Sequence, residues 1–219
     1  MTREEQLRNR ELKKRLPQEI RKWNKKYKIH YSYEFLYKFE GDFLYIGMPS
    51  VGSDCLYNAV MITPWVLDEI YWKVQKMNME EMLNQPKSFH VRGVFTVDSI
   101  YYKSAYSKYQ VTTDNFEEMI ENLIIDFDSF INEPKKKLKT IDWIKNDLDG
   151  YKISDLNRAL VYIKQEEYEK ALFNLQNGDK NDGIIHVVNG KTARENAIDF
   201  CLDAIKNQCM NHVMTLYWQ

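Results

Sequence analysis

The segment 31-YSYEFLYKF-39 decides how the first half of this chain is expected to fold. Aromatic rings occupy every second position of it, at Tyr31, Tyr33, Phe35, Tyr37 and Phe39. Side chains at alternate positions of a β-strand line one face of a sheet. The pattern therefore predicts one strand over residues 30–39, with an aromatic face that helices cover.

Further strands are predicted on either side of turn residues. Gly41-Asp42 suits a tight hairpin turn and leads to a second strand over residues 43–48. A third strand is predicted over residues 56–62. A long strand follows over Phe89–Tyr102, and Ala105–Val111 is its expected hairpin partner. These segments predict an antiparallel sheet of about five strands.

Amphipathic helices surround the predicted strands. Apolar residues recur there at the three- and four-residue spacing that buries one side of a helix. The predicted helices after the third strand cover residues 65–77, 116–131, 140–148, 155–176 and 192–216. The fold class is therefore α+β, with an antiparallel sheet flanked by helices and a mainly helical C-terminal part.

The first 28 residues form a basic amphipathic segment. They carry eleven Lys and Arg against four Glu, whereas the other 191 residues carry twenty basic against twenty-eight acidic residues. Such a segment is either a nucleic-acid arm or a helix docked on its own acidic domain. The apolar series Leu12, Leu16, Ile20 and Trp23 favours a docked helix, and Pro17 is expected to divide it in two.

A domain boundary is predicted after residue 133, where Glu133-Pro134 precedes a run of lysines. Residues 1–133 are expected to form an α+β domain with the N-terminal amphipathic helix. Residues 134–219 are expected to form a mainly helical C-terminal extension packed on that domain.

A cytoplasmic location without membrane contact is expected. No apolar run approaches the roughly 18 residues of a membrane span. The first 15 residues are charged where a signal peptide would be apolar. Cys201 and Cys209 lie on one predicted helix, too far apart for a disulfide, so the three cysteines are expected to stay reduced.

Two possible ligand motifs have simpler explanations. Gly190-Lys191-Thr192 resembles the end of a phosphate-binding loop, but the glycine that such a loop needs five positions earlier is Ile185. Thr192 and Glu195 instead fit a helix capping box. The four histidines show no metal-ligand spacing, so neither a metal nor another cofactor is predicted.

Candidate binding residues come from polar and aromatic side chains. His90, Arg92 and Asp98 occupy even positions of the predicted strand Phe89–Tyr102, where a shared sheet face would suit acid–base or phosphate chemistry. Aromatic residues are dense nearby, and rings with one wet edge are favoured at protein interfaces. The aromatic candidates are Trp65, Trp72, Tyr102 and Tyr106.

In its modest size, acidic body, absence of catalytic motifs and Tyr/Trp-rich strands such as Tyr31–Phe39 and Tyr101–Tyr109, the chain is similar to small uncharacterised bacterial cytosolic domains, among them many immunity proteins of polymorphic toxin systems. The missing catalytic constellation and the acidic, aromatic-rich body predict a non-enzymatic module that occludes a protein partner, and they suit a basic partner such as a nuclease. Two alternatives stay open. One is an enzyme with its site at His90, Arg92 and Asp98. The other is nucleic-acid binding through residues 3–28, although a nucleic-acid partner is less expected than a protein; the oligomeric state stays open.

Overall fold

The structure is a computed structural model of the chain. It describes residues 2–52, 54–92, 95–133, 138, 140–146, 150–179, 187–188 and 190–217.

Contacts divide the chain into two compact units that are interleaved along the sequence. The first unit comprises Met1–Thr63 and Tyr101–Thr140, and the second comprises Pro64–Ile100 and Ile141–Gln219. The predicted linear boundary falls at residues 134–137, which lie outside the described residues, and the division at 133 stays a prediction.

The first unit contains the sheet and two long helices. Its elements are α1 (Arg3–Trp23), β1 (His30–Ser32), β2 (Phe35–Glu40), β3 (Phe43–Val51), β4 (Cys55–Thr63), β5 (Tyr101–Gln110) and α4 (Phe116–Asn132). The strands lie in the order β1-β2-β3-β4-β5, and every neighbouring pair is antiparallel. The predicted α+β class with a five-stranded antiparallel sheet is confirmed.

The predicted strand over residues 30–39 is wrong, because the chain turns back within it. Tyr33 and Glu34 form a two-residue turn with φ values of 52° and 68°, the left-handed pair that a tight hairpin requires. The register then pairs Tyr31 with Leu36, which puts Tyr31 on the opposite sheet face from Tyr37. His30, and not Tyr31, lies on the same sheet face as Tyr37. Its ring stacks on the Tyr37 ring, with centroids 5.2 Å apart.

The turn supplies a stability prediction. Glu34 is exposed with a φ of 68°, where a side chain costs roughly 1–2 kcal/mol that glycine avoids. Glu34→Gly is expected to raise the free energy of unfolding by about 0.5–1 kcal/mol, since glycine also loses more entropy on folding. Denaturant unfolding measures it. Glu34→Ala is the matched control and should give no gain; equal effects of both variants would contradict the turn.

The predicted strand over Phe89–Tyr102 is also wrong. Lys87–Arg92 form a 3₁₀-helix, residues 95–100 form no strand, and β5 begins only at Tyr101. The ladder partner of β5 is β4, so Ala105–Val111 has no hairpin partner in residues 89–102. Val91 and Val97, which occupy odd-numbered positions of the predicted strand, are buried. However, the Val97 N–H donates to a side chain, Asp68, at 2.8 Å instead of to a strand.

The core of the first unit lies between one sheet face and the helices α1 and α4. Tyr45 of β3 and Phe130 of α4 are fully buried and meet edge to face, with centroids 6.0 Å apart. Leu12 and Ile20 of α1 are also fully buried. The register places a row of apolar side chains on this face, namely Leu36, Phe43, Tyr45, Leu56, Val60 and Ile62.

Helix α1 is docked on α4, as its apolar series predicts, and the basic segment is therefore not a detached arm. Lys22 pairs with Glu117 at 3.3 Å, and Lys26 pairs with Glu121 at 2.9 Å. Pro17 lies inside one continuous helix, so the predicted division there is wrong. Proline removes one helical N–H, and the carbonyl that loses this donor belongs to Lys13, an exposed residue at which the lost hydrogen bond costs little.

The second unit is mainly helical. Its elements are a 3₁₀ turn (Trp65–Leu67), α2 (Asp68–Val74), α3 (Met79–Leu83), the 3₁₀-helix Lys87–Arg92, a 3₁₀-helix (Ile141–Lys145), α5 (Asp155–Lys164), α6 (Tyr168–Asn177), β6 (Val187–Val188), β7 (Lys191–Thr192) and α7 (Ala193–Tyr217). The predicted helix over 155–176 is two helices, because Glu166 has a φ of 60°. The sequence also predicts a short strand over residues 184–188; residues 184–186 lie outside the described residues, and β6 covers Val187–Val188.

The capping box at the start of α7 is confirmed. The Thr192 N–H donates to the Glu195 carboxylate at 2.8 Å, and the Glu195 N–H donates to the Thr192 hydroxyl at 3.2 Å. This reciprocal pair satisfies backbone donors that a helix start leaves open.

Two buried tyrosines make stability depend on alkaline pH. Burial raises the pKa of Tyr45 and of Tyr71 to about 12, above the roughly 10 of an unfolded chain. Their contribution is therefore complete below pH 10 and is lost as the pH rises towards 12. At about 1.4 kcal/mol per pKa unit, a rise in pH from 10 to above 12 is expected to remove about 2–3 kcal/mol of stability for each tyrosine.

Tyr71→Phe tests this dependence. The buried Tyr71 hydroxyl has no hydrogen-bond partner in the described chain, so its removal is expected to leave stability unchanged or raise it by about 1 kcal/mol at pH 7. Above pH 10 the variant should lose less stability than the parent chain. Urea unfolding from pH 7 to 11.5 measures both effects. Tyr102→Phe, at a 60% exposed site, is the control for the measurement at pH 7. A loss of more than 1 kcal/mol in the free energy of unfolding of Tyr71→Phe at pH 7 would contradict this account.

Candidate functional site

Three of the predicted candidates meet in the second unit. Trp65 lies in the 3₁₀ turn before α2, Trp72 lies on α2, and His90 lies in the 3₁₀-helix Lys87–Arg92. The His90 ring stacks on Trp72 at a centroid distance of 5.6 Å and 23° between planes. It also meets the edge of Trp65, at a centroid distance of 5.4 Å and 71° between planes. The histidine is therefore held between two indole rings.

A buried carboxylate fixes the orientation of this histidine. Asp68 is fully buried, and its Oδ2 lies 2.5 Å from His90 Nδ1. Its other oxygen accepts the Val97 N–H at 2.8 Å. An ionised Asp68 only accepts hydrogen bonds, and in that state the proton of this contact lies on Nδ1. Burial raises the pKa of Asp68, against the opposing effects of His90 and the Val97 N–H.

A backbone hydrogen bond and a ring contact hold the Trp72 side chain in place. The Trp72 indole N–H donates to the Phe95 carbonyl at 2.6 Å, and only 3% of the residue is exposed. The Phe89 ring meets Trp72 edge to face, with centroids 6.2 Å apart. Ring packing, the hydrogen bond from Trp72 to the Phe95 carbonyl and the contact between His90 and Asp68 together position the three rings.

A surface cavity of ≈ 300 Å³ opens beside these rings. Its charged lining residues are Glu69, Lys87 and Lys164. The Lys87 ammonium lies 5.8 Å from the centre of the Trp65 ring. Lys164 donates to the Val66 carbonyl at 3.4 Å. The rest of the described lining is Trp65, Val66, Trp72, Met82, Leu83, Gln85 and His90, which makes the site an aromatic and aliphatic recess with a charged rim.

The predicted sheet-face site of His90, Arg92 and Asp98 is wrong, since none of the three lies on a strand. The side chain of Arg92 lies outside the described side chains. The Asp98 carbonyl accepts the Asn157 amide N–H at 3.0 Å, and Asp98 acts electrostatically on Tyr71. His90 instead has Asp68 as its carboxylate partner.

The other two aromatic candidates lie on β5 in the first unit. Tyr102 is 60% exposed. The Tyr106 ring packs on Phe130 at a centroid distance of 4.8 Å. Tyr106 therefore serves the core of the first unit, and Tyr102 is a separate surface residue.

Sequence reasoning missed Asp68, although the helical spacing contained a signal. Trp65, Asp68 and Trp72 stand at positions i, i+3 and i+7, which share one side of a helix. That spacing groups the carboxylate with both indole rings. His90 comes to the same place from another segment, and no local pattern indicates this.

The fold and the site together define an α+β protein with an aromatic surface cavity supported by an Asp–His pair. Comparisons with protein-family models, curated proteins and solved structures found no match to this chain. In the described part of the chain, no helix combines the length and the apolar character that crossing a membrane requires. Among those same residues, no group of three or more His, Cys, Asp and Glu side chains is placed to hold a metal ion.

Proposed function

We propose that this protein is a non-enzymatic protein-binding module of the cytoplasm, and that a side chain of its partner enters the Trp65–Trp72–His90 cavity. The observation that carries the proposal is the surface recess of ≈ 300 Å³ whose lining includes Trp65, Trp72 and His90. Tryptophan is enriched among the few residues that supply most binding energy at protein interfaces. A site that needs no ordering on binding also avoids part of the entropy cost of association.

A basic side chain is the occupant that we propose. Indole faces attract cations, and the Trp65 face holds an ammonium group of the chain itself, from Lys87. Exposed Glu69 on the rim adds a negative charge. An entering arginine would take the place of the Lys87 ammonium over Trp65. Residues 29–219, with twenty basic against twenty-eight acidic residues, would attract such a partner over longer distances.

An immunity-like role follows from the same proposal. Such a module would insert none of its own side chains into the partner. It would receive an arginine or lysine of the partner in its cavity and would cover the partner's surface around that residue. Where the residue belongs to a basic active site, such as that of a nuclease, binding would occlude the site. The expected Kd is below about 10 μM, so the binding free energy is expected to be more favourable than about −7 kcal/mol.

Site-specific photocrosslinking identifies the partner and tests the place of binding together. A benzophenone side chain at position 69 on the cavity rim is expected to crosslink one protein in cells. The same probe at Phe173, which is 69% exposed on α6, is the control and should not capture that protein. Crosslinking of the same partner from both positions, or from position 173 alone, would contradict the cavity as the binding site.

The Asp68–His90 pair favours acid–base catalysis as a second candidate function. A carboxylate on Nδ1 orients an imidazole as a general base through its other nitrogen. The described cavity lining contains no hydroxyl or thiol nucleophile, so the reaction would use a water molecule, as in ester hydrolysis. Because the described lining supplies no nucleophile of its own, binding is the first proposal and catalysis the second.

Turnover of chromogenic carboxylic and phosphoric esters tests the second candidate. His90→Gln should then lower kcat/KM at least 100-fold, within the usual range for general-base catalysis. Asp68→Asn should shift the pH profile, since it changes the group on Nδ1. Activity that His90→Gln leaves unchanged would dismiss catalysis at this site.

A further inference from the structure

Helix α1 has two different sides, and only one of them is used by the fold. Leu12 and Ile20 are fully buried, while Lys22 of α1 and Lys26, in the turn after the helix, pair with carboxylates of α4. The remaining side carries five exposed basic residues, which we call the basic stripe: Arg3, Arg10, Lys13, Lys14 and Arg21.

The basic stripe is continuous along the helix. Successive helical residues are about 100° apart, so these five lie within an arc of about 100°. No acidic residue of α1 falls inside that arc. At about 1.5 Å of rise per residue, the stripe from Arg3 to Arg21 is about 27 Å long.

Four members of the stripe have no partner within the described chain. Arg3, Arg10, Lys13 and Lys14 make no hydrogen bond or ion pair there, in contrast to Lys22 and Lys26. Arg21 lies over the Tyr31 ring, 5.8 Å from its centre. A surface concavity of ≈ 410 Å³ borders the stripe, lined by Arg3, Gln6, Leu7, Asn9, Arg10 and Lys13. Five cations therefore face outward in a row, beside a recess that admits an external group.

We propose that the basic stripe binds the phosphodiester backbone of a nucleic acid. A linear polyanion matches a straight row of cations, and its counterions are released when the cations replace them. A membrane surface fits less well. Membrane-bound amphipathic helices insert their apolar side, but that side of α1 is buried, and Leu7 is the one large apolar residue exposed along the stripe. The acidic excess of residues 29–219 would orient the approaching protein so that the basic stripe faces the polyanion.

Binding of a 20-base-pair DNA duplex and of a single-stranded RNA 20-mer, each measured from 25 to 200 mM salt, tests the proposal. The full-length protein is expected to bind at least one of them with micromolar Kd at the lowest salt. Five phosphate contacts give a slope of log K against log salt of about −4.5 on duplex DNA and about −3.5 on a single strand. The two nucleic acids distinguish duplex from single-strand binding, which share the same backbone chemistry.

A pair of charge-matched variants shows whether the stripe is responsible. The stripe variant is R3Q/R10Q/K13Q/K14Q. The control K76Q/K108Q/K152Q/K206Q removes the same four charges at exposed lysines elsewhere. The stripe variant is expected to bind at least tenfold more weakly than the control, with a slope reduced to about −1, while thermal unfolding shows that both are folded.

Three results would overturn the proposal. The first is no binding of either nucleic acid at 25 mM salt. The second is equal weakening by both variants, which would reflect net charge alone. The third is stripe-dependent binding to vesicles with phosphatidylserine but to neither nucleic acid, which would assign the stripe to a membrane surface.

Discussion

Asp68→Ala is expected to lower the free energy of unfolding by about 2–4 kcal/mol. The carboxylate is fully buried and holds two partners, His90 Nδ1 at 2.5 Å and the Val97 N–H at 2.8 Å. Alanine leaves both without an acceptor, and each buried unsatisfied group costs about 1–3 kcal/mol. Relief of the carboxylate's own burial cost offsets part of this loss. Urea unfolding at pH 7 measures the difference.

Asp68→Asn separates the hydrogen bonds from the charge. Asparagine keeps an oxygen for the Val97 N–H, whereas its amide N–H₂ faces His90 and requires Nδ1 to accept. The loss should stay near 1 kcal/mol, and ¹⁵N NMR should show the His90 proton moving from Nδ1 to Nε2. An Asp68→Ala loss below 1 kcal/mol, or an unchanged tautomer in Asp68→Asn, would contradict the role of Asp68.

Phe130→Ala is expected to destabilise the protein by about 3–5 kcal/mol, the usual cost of removing a buried phenylalanine. Phe130 is fully buried on α4 and contacts the rings of Tyr45, Tyr101 and Tyr106. Its removal leaves a cavity between α4 and the sheet that these three aromatic neighbours cannot easily fill. Chemical denaturation measures the loss.

Phe173→Ala is the matched control for the core substitution, because Phe173 is 69% exposed on α6. It should change the free energy of unfolding by less than about 0.5 kcal/mol, as surface substitutions usually do. Similar losses at positions 130 and 173 would contradict the packing of α4 on the sheet.

Elements with a strong, long hydrophobic period could be predicted from the sequence. Helix α4 is an example, since its buried side runs from Phe116 to Ile131 at helical spacing. The capping box at Thr192 is another, because it depends on residues only three positions apart. In both cases local contacts determine the conformation.

Elements that depend on unusual turns or distant partners could not be predicted. Tyr33 and Glu34 are not typical turn residues, yet both take positive φ, and the alternation of rings continues through them. Residues 89–100 alternate like a strand, but Asp68 takes the Val97 N–H that a neighbouring strand would have bound. Sequence periodicity reports which side chains are buried and does not identify the group that satisfies each N–H.

The candidate site was predicted in its parts but not as a whole. Trp65, Trp72 and His90 could be named singly as interface or acid–base residues. Their meeting depends on the buried Asp68 and on the return of residues 87–92 to α2. That contact joins residues 22 positions apart, and only the folded chain shows it.

Calorimetric titration of the crosslinked partner into two tryptophan variants tests the central claim most directly. Trp65 lines the cavity, whereas Trp143, which is 37% exposed in the 3₁₀-helix Ile141–Lys145, does not. Trp65→Ala is expected to weaken binding by about 2 kcal/mol, or roughly 30-fold, as for an interface hot spot. Trp143→Ala should leave the Kd within twofold of the parent value. Equal affinities of the two variants, or a parent Kd weaker than about 10 μM, would contradict a protein-binding role for the cavity.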